Sequence, residues 1–136
     1  MYNEKIYGGG FHHIAMNAYD IDKTVRFYTE GLGFSVYNTW YKENGEIAGI
    51  MLESGDGAIF EIFPGGAKEQ PTGILAHIAL KTDDCDKAAK AVKALGAQIT
   101  IEPKDIVING KEKVIPARIM FFKGPDGETI ELFQIK

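Results

Sequence analysis

Four residues in this 136-residue chain stand out by type and placement: His13, Glu61, His77 and Glu131. Each histidine opens a short apolar run, "HIAM" for His13 and "HIAL" for His77. Each glutamate lies inside a second apolar run, "GAIFEIF" for Glu61 and "GETIELF" for Glu131, at the same interval after an Asp-Gly pair. Strand side chains alternate between faces, so Glu61 shares a face with Ile59 and Phe63 and has Phe60 and Ile62 on the other. Glu131 lies likewise between Thr129 and Phe133, with Ile130 and Leu132 opposite. A carboxylate in such a place costs several kcal/mol or more unless it is paired, protonated or bound to a metal (~2–7 kcal/mol even for a neutral polar group). A lone strand histidine is usually a satisfied core residue, and a lone glutamate usually a solvated edge residue. The pattern occurring twice argues against both. Two imidazoles and two carboxylates form a mixed N/O donor set suited to one divalent transition metal: Ni, Zn or Co, with Mn and Fe also admitted.

The elements that must position these residues come from an internal repeat. "HIAMNAYDIDKTVRFYTEGLGFSV" lies over "HIALKTDDCDKAAKAVKALGAQIT" when His13 is set on His77. This register selects His13 rather than His12, which faces the other way with Ile14 and Met16. His13 shares its face with Phe11, Ala15 and Asn17, and His77 with Leu75, Ala79 and Lys81. Ile21, Val25, Tyr28 and Leu32 fall at helical spacing, as do Cys85, Ala89, Val92 and Leu95. Asp20, Asp22, Asp83, Asp84 and Asp86 supply caps and first-turn charge, and Gly31 and Gly96 are expected to be the left-handed C-terminal residues. Two further strands fit between helix and final strand in each copy: "FSVYNTWYKE" and "EIAGIMLES", then "QITIEPKDIVI" and "KVIPARIMFFK". The expectation is an α+β fold of two βαβββ modules in pseudo-twofold arrangement. They form one domain over 1–136, with modules at about 11–63 and 74–135 and a linker at 64–73.

Composition bounds the function. Hydrophobic content of 45% and charged content of 25% suit a folded core. A net charge of −4 with no basic block argues against a nucleic-acid partner. No apolar run is long enough for a bilayer, and "MYNEKIYGGG" lacks a signal pattern. The lone Cys85 rules out an internal disulfide and fits a reducing compartment, here read as the cytoplasm. At a helix start it reads as a packed or half-exposed thiol rather than a nucleophile. Gly8 to Gly10 lack the preceding strand of a phosphate loop and read as a lead-in.

These motifs together resemble the vicinal oxygen chelate superfamily, which includes glyoxalase I, methylmalonyl-CoA epimerase, extradiol dioxygenases, and fosfomycin and bleomycin resistance proteins. The carriers are "HHIAMNAYDIDKTVRFYTEGLGF", "GAIFEIF", "ILAHIAL" and "GPDGETIELF", over about 11–135. The resemblance implies modules forming a cupped sheet around one metal, with the ligand positions on His13, Glu61, His77 and Glu131. The His, Glu, His, Glu set is similar to the glyoxalase I type. It implies a lyase or isomerase that moves a proton next to a carbonyl through an enediolate, with Glu61 or Glu131 as base. It also implies a small-molecule substrate with oxygens on neighbouring carbons, and a homodimer. The alternatives are a CoA-thioester epimerase and a non-catalytic antibiotic-binding or resistance protein. The chain departs from glyoxalase I where the glutathione arm is held: Asn17 stands in place of an Arg and Gly65 in place of an Asn. Lys104, Lys111, Lys113 and Arg118 are the remaining cations considered for an anionic substrate.

Overall fold

The computed structural model describes residues 4, 5, 7, 12–71, 73, 75, 77–109 and 113–136. Gly8, Gly9, Gly10, Phe11 and Lys111, named above, lie outside the described residues. The chain divides into two compact units, Met1–Ala67 and Lys68–Lys136.

In the first unit the elements are β1 (His13–Ala18), α1 (Ile21–Arg26) with a π-helical turn over Phe27–Gly31, β2 (Ser35–Tyr41), β3 (Ile47–Glu53) and β4 (Ile59–Pro64). The second repeats them as β5 (Ile78–Lys81), α2 (Cys85–Ala94), β6 (Ile99–Asn109), β7 (Val114–Lys123) and β8 (Thr129–Ile135). The two sheets have the same order, β1-β4-β3-β2 and β5-β8-β7-β6. In each, the first and last strands of the module run parallel, and the other neighbours are antiparallel. The helix in each module is the crossover that a parallel pair requires. The architecture is therefore α+β, built from two βαβββ modules.

Both helices start where the aspartates direct. The Asp20 carboxylate accepts from the Lys23 amide at 3.1 Å, and the Asp84 carboxylate from the Lys87 amide at 2.9 Å. The Asp-Gly turns before β4 and β8 place Gly57 and Gly127 at φ 84° and 85°, where a side chain would be strained.

One expected helix end is corrected. Gly96 is left-handed (φ 75°), but in the first module the left-handed residue is Gly33 (φ 77°), and Gly31 closes the π-helical turn. There the Leu32 amide donates to the Phe27 carbonyl at 3.1 Å, five residues back, so the wider turn carries the helix further before the chain can leave it.

Each helix covers one face of its own sheet. Tyr28 is 1% exposed and lies edge-on to Phe60, with ring centroids 4.9 Å apart. Leu52, Ile50 and Ile62 complete that layer, and Thr24 is buried with them. In α2 the buried stripe is Cys85, Ala89 and Val92, within the same core layer as Met120, Phe122, Ile130 and Leu132; Leu95 is instead 42% exposed. Cys85 is fully buried, and burial holds its thiol above the ordinary value against the pull of Arg118. Its place in the stripe is that of a packed residue.

Arg118 is fixed on this helix-covered side. Its Nε and Nη2 donate to the two Asp86 carboxylate oxygens of α2 at 2.9 and 2.8 Å, and Nη1 donates to Asp105 of β6 at 3.1 Å. The Arg118 hydrogen bonds hold Asp86 below its ordinary value of 3.8, and Asp105 is held below the same value first by Lys136, whose Nζ lies 2.7 Å from it, and then by Arg118. A depressed carboxylate stabilises the fold above its unfolded pKa, and that contribution is lost as pH falls through the folded value. Arg118→Met is therefore expected to unfold at lower urea than the parent at pH 7, with the gap closing well below pH 3.8. A gap that persists in acid would mean the lost packing of the side chain, not its charge, carries the effect.

Candidate metal centre

The face of each sheet away from its helix carries the residues of interest. In the first unit the strand registers lay out rows across the sheet. One row is Ala15 (β1), Glu61 (β4), Met51 (β3) and Asn38 (β2). In the second unit the equivalent row is Ala79 (β5), Glu131 (β8), Phe121 (β7) and Ile101 (β6). An alanine is thus the direct partner of each glutamate in the parallel pair, so a single methyl group faces each carboxylate. The histidine lies two residues before that alanine, diagonal to the glutamate and on the same face.

The outcome is the same in both units. His13 Nε2 is 3.1 Å from Glu61 Oε2, and His77 Nε2 is 3.1 Å from Glu131 Oε2. The histidine side chains are 40% exposed, whereas the glutamates keep 10% and 8%. Burial pushes the Glu131 carboxyl above its ordinary value, and the charge of His77 pulls it back. Among the described residues these are pairs: no group of three or more His, Cys, Asp or Glu side chains is gathered in one place.

The donor chemistry fits a divalent transition ion. Each pair sets one imidazole nitrogen 3.1 Å from one carboxylate oxygen, the separation of neighbouring ligands that each stand ~2.1 Å from one ion. The carboxylates are buried among apolar neighbours, and the histidine nitrogen is the partner seen for each.

Sequence reasoning missed three features of this face. His12 is not a bystander: its Nδ1 is 2.9 Å from His13 Nδ1, on the side of the ring away from Glu61. The His77 ring stands edge-on to Phe121 at 5.4 Å. Lys123, which pairs with Thr129 on the Glu131 face, donates from Nζ to the Thr129 hydroxyl at 2.8 Å. Alternation along β7 from Phe121 to Lys123 was the available signal for the last two. Of the cations considered for an anionic substrate, Lys104 pairs with Ile119 and so shares the Glu131 face. Lys113 precedes β7 and is exposed. Arg118 is removed from the set, because its guanidinium is spent on Asp86 and Asp105 on the opposite face. Asn17 sits on the His13 face, paired with Phe63, and Gly65 has φ 95° just after β4.

Comparison with known proteins agrees with this architecture. The chain belongs to the Glyoxalase/Bleomycin resistance protein/Dioxygenase superfamily, whose family model matches residues 10–132. It is 35% identical over 130 residues to a probable lactoylglutathione lyase of Vibrio cholerae, covering 91% of this chain and 89% of that one. Among solved structures, a glyoxalase family protein of Enterococcus faecalis superposes with a TM-score of 0.70 at 26% identity, covering 92% of this chain and 97% of that one. TnmS3, an antibiotic binding protein from a Streptomyces species, has the same fold by a TM-score of 0.70 at 22% identity, with 94% and 97% covered.

Proposed function

We propose that this chain is a glyoxalase-like, metal-dependent lyase or isomerase that moves a proton next to a carbonyl in a small substrate bearing oxygens on neighbouring carbons. The observation that carries the reading is the His–Glu pair repeated at 3.1 Å in both modules. In this reading the modules act as one domain, and His13, Glu61, His77 and Glu131 meet on one ion, drawn from one chain or from two across a homodimer. When bound, a divalent transition ion (Ni, Zn or Co, with Mn and Fe as variants) supplies the Lewis acidity that steadies negative charge on the substrate oxygens. The chain's own residues do the rest. Neutral Nε2 atoms of His13 and His77 serve as donors. His12 holds the Nδ1 side of His13 and so fixes its ring orientation and tautomer. A carboxylate oxygen of Glu61 or Glu131 takes the proton from the carbon beside the carbonyl, and the same group or its counterpart returns it to the neighbouring carbon.

The likeness to a probable lactoylglutathione lyase supports the reaction class. The glutathione arm is less well provided for, because Asn17 and Gly65 offer no charged fork to a carboxylate. A different thiol adduct, or a CoA thioester epimerised by the same two carboxylates, satisfies the site equally. The second reading is a small-molecule binding or resistance protein, favoured by the shared fold with TnmS3.

Proton exchange separates the readings. Candidate 2-oxo and 2-hydroxy thiol adducts and thioesters are incubated with metal-loaded protein in deuterated water and followed by NMR. Deuterium entering the carbon beside the carbonyl is the expected result. Tight binding with no exchange in any candidate would support the binding protein.

A further inference from the structure

Asn-Gly occurs twice in the chain, as Asn44-Gly45 and Asn109-Gly110, once in each unit. The first pair lies in the turn that joins β2 to β3, where every residue from Tyr41 to Glu46 is exposed. Gly45 has φ 85°, and a Cβ built on it would meet nothing within 4 Å, so its backbone is open to water on that side. The Asn44 amide is nevertheless held at both polar atoms by one residue. Its Oδ1 accepts from the Glu46 amide at 3.0 Å, and its Nδ2 donates to Glu46 Oε2 at 3.1 Å. The Gly45 amide donates to the Lys42 carbonyl at 3.0 Å, and the Lys42 amide donates to the Glu46 carbonyl at 2.8 Å, closing the turn. Lys42 Nζ lies 3.8 Å from the same Glu46 oxygen that Asn44 uses.

We propose that Asn44 is a deamidation site which the turn holds closed through Glu46. The inference goes beyond the metal centre and does not rest on it. In the reaction the Gly45 nitrogen attacks the carbonyl carbon of the Asn44 side chain. A bond forms between those two atoms, the bond from that carbon to Nδ2 breaks, and ammonia leaves with the proton that Gly45 gives up. Water then opens the cyclic imide at either carbonyl and leaves an aspartyl or an isoaspartyl residue at position 44. The net exchange is one water taken up for one ammonia released. Three hydrogen bonds oppose the first step. The proton that Gly45 must lose is engaged by Lys42, and both polar atoms of the Asn44 amide are engaged by Glu46. The side-chain carbon swings onto the Gly45 nitrogen only when the turn opens, so the rate follows the open fraction. Once made, the product works against the turn. The Nδ2 donor becomes a carboxylate oxygen, and it faces the Glu46 carboxylate at the separation of a hydrogen bond. It also adds one negative charge to a chain whose net charge is −4.

The test is ageing of the full chain at mildly alkaline pH, folded in buffer and unfolded in guanidinium chloride. Peptide mapping by mass spectrometry follows the gain from amide to acid at Asn44, and ion exchange follows the added charge. Asn109 is the internal reference: in the unfolded chain the two Asn-Gly pairs are expected to react at like rates. In the folded protein Asn44 is expected to react at least about fivefold more slowly than in the unfolded chain. A smaller ratio overturns the proposal. Glu46→Ala removes the acceptor of Nδ2 and is expected to speed the folded-state reaction by at least about threefold, with no change in guanidinium chloride. Glu46→Gln keeps an acceptor oxygen and is expected to age like the parent. A folded Glu46→Ala protein that ages no faster than the parent overturns the proposal, and so does a Glu46→Gln protein that ages as fast as Glu46→Ala. Circular dichroism confirms that each variant is folded. If Glu46→Ala does not fold, the folded-to-unfolded ratio of the parent and the rate of Glu46→Gln decide the matter.

Discussion

Protein purified without added metal carries one equivalent of divalent transition metal per chain, and His77→Ala loses it. This is the expected outcome of elemental analysis and chelator competition if His13, Glu61, His77 and Glu131 share one ion. A structural zinc site is worth ~10–16 kcal/mol, so one ligand of four has a share of ~2.5–4 kcal/mol, a loss of roughly sixty- to sevenhundredfold in affinity. The actual loss exceeds that share, because removing His77 also takes the partner from the buried Glu131 carboxylate. His13→Ala is expected to behave like His77→Ala, since the two modules place their pairs alike. His12→Ala is expected to cost only about tenfold, the usual effect of removing a group that orients a ligand from behind. Alternation alone gives His12 no effect; its Nδ1 contact with His13 is the reason for the intermediate value. Full retention of metal by His77→Ala would sink the shared site. Loss with His12→Ala but not with His13→Ala would reassign the ligand.

The second large effect concerns the proton. Glu61→Gln and Glu131→Gln keep an oxygen donor and nearly the same volume, but the amide cannot accept a proton at the carboxylate position. The variant that removes the base is expected to lower kcat by about 10²–10⁴ with the metal restored by excess in the assay. The other variant is expected to fall less, since it affects mainly the metal, and the asymmetry identifies the base. Both positions are buried and each keeps its histidine neighbour within hydrogen-bond reach, so the sheets are expected to hold. Deuterium exchange measured beside kcat separates loss of proton abstraction from slow product release. Turnover undiminished in both variants at saturating metal would remove the carboxylates from the mechanism.

Much of this was legible in the chain because it depends on short-range rules. Period-two alternation put His13 with Ala15 and His77 with Ala79, and put both glutamates on faces with apolar neighbours. Asp20 and Asp84 marked helix starts because a cap acts within its own first turn. The repeat then gave the order strand, helix, three strands, since one module's pattern checks the other's. What the sequence left open depends on which residues meet across strands or wrap around a helix end. The left-handed residue moved from Gly31 to Gly33 because a π-helical turn, fixed by packing around Tyr28, widens the end of the first helix. Arg118 left the candidate site because α2 brings Asp86 over the β7 face that it occupies. His12 gained a role because its ring turns onto His13, which strand alternation does not foresee. Trp40 reached Phe63 because the β2–β3 register, irregular between Trp40 and Tyr41, sets it opposite Gly49, where a side chain would collide with the indole. Alternation says which face a residue occupies; the pairing of distant strands decides what it touches there.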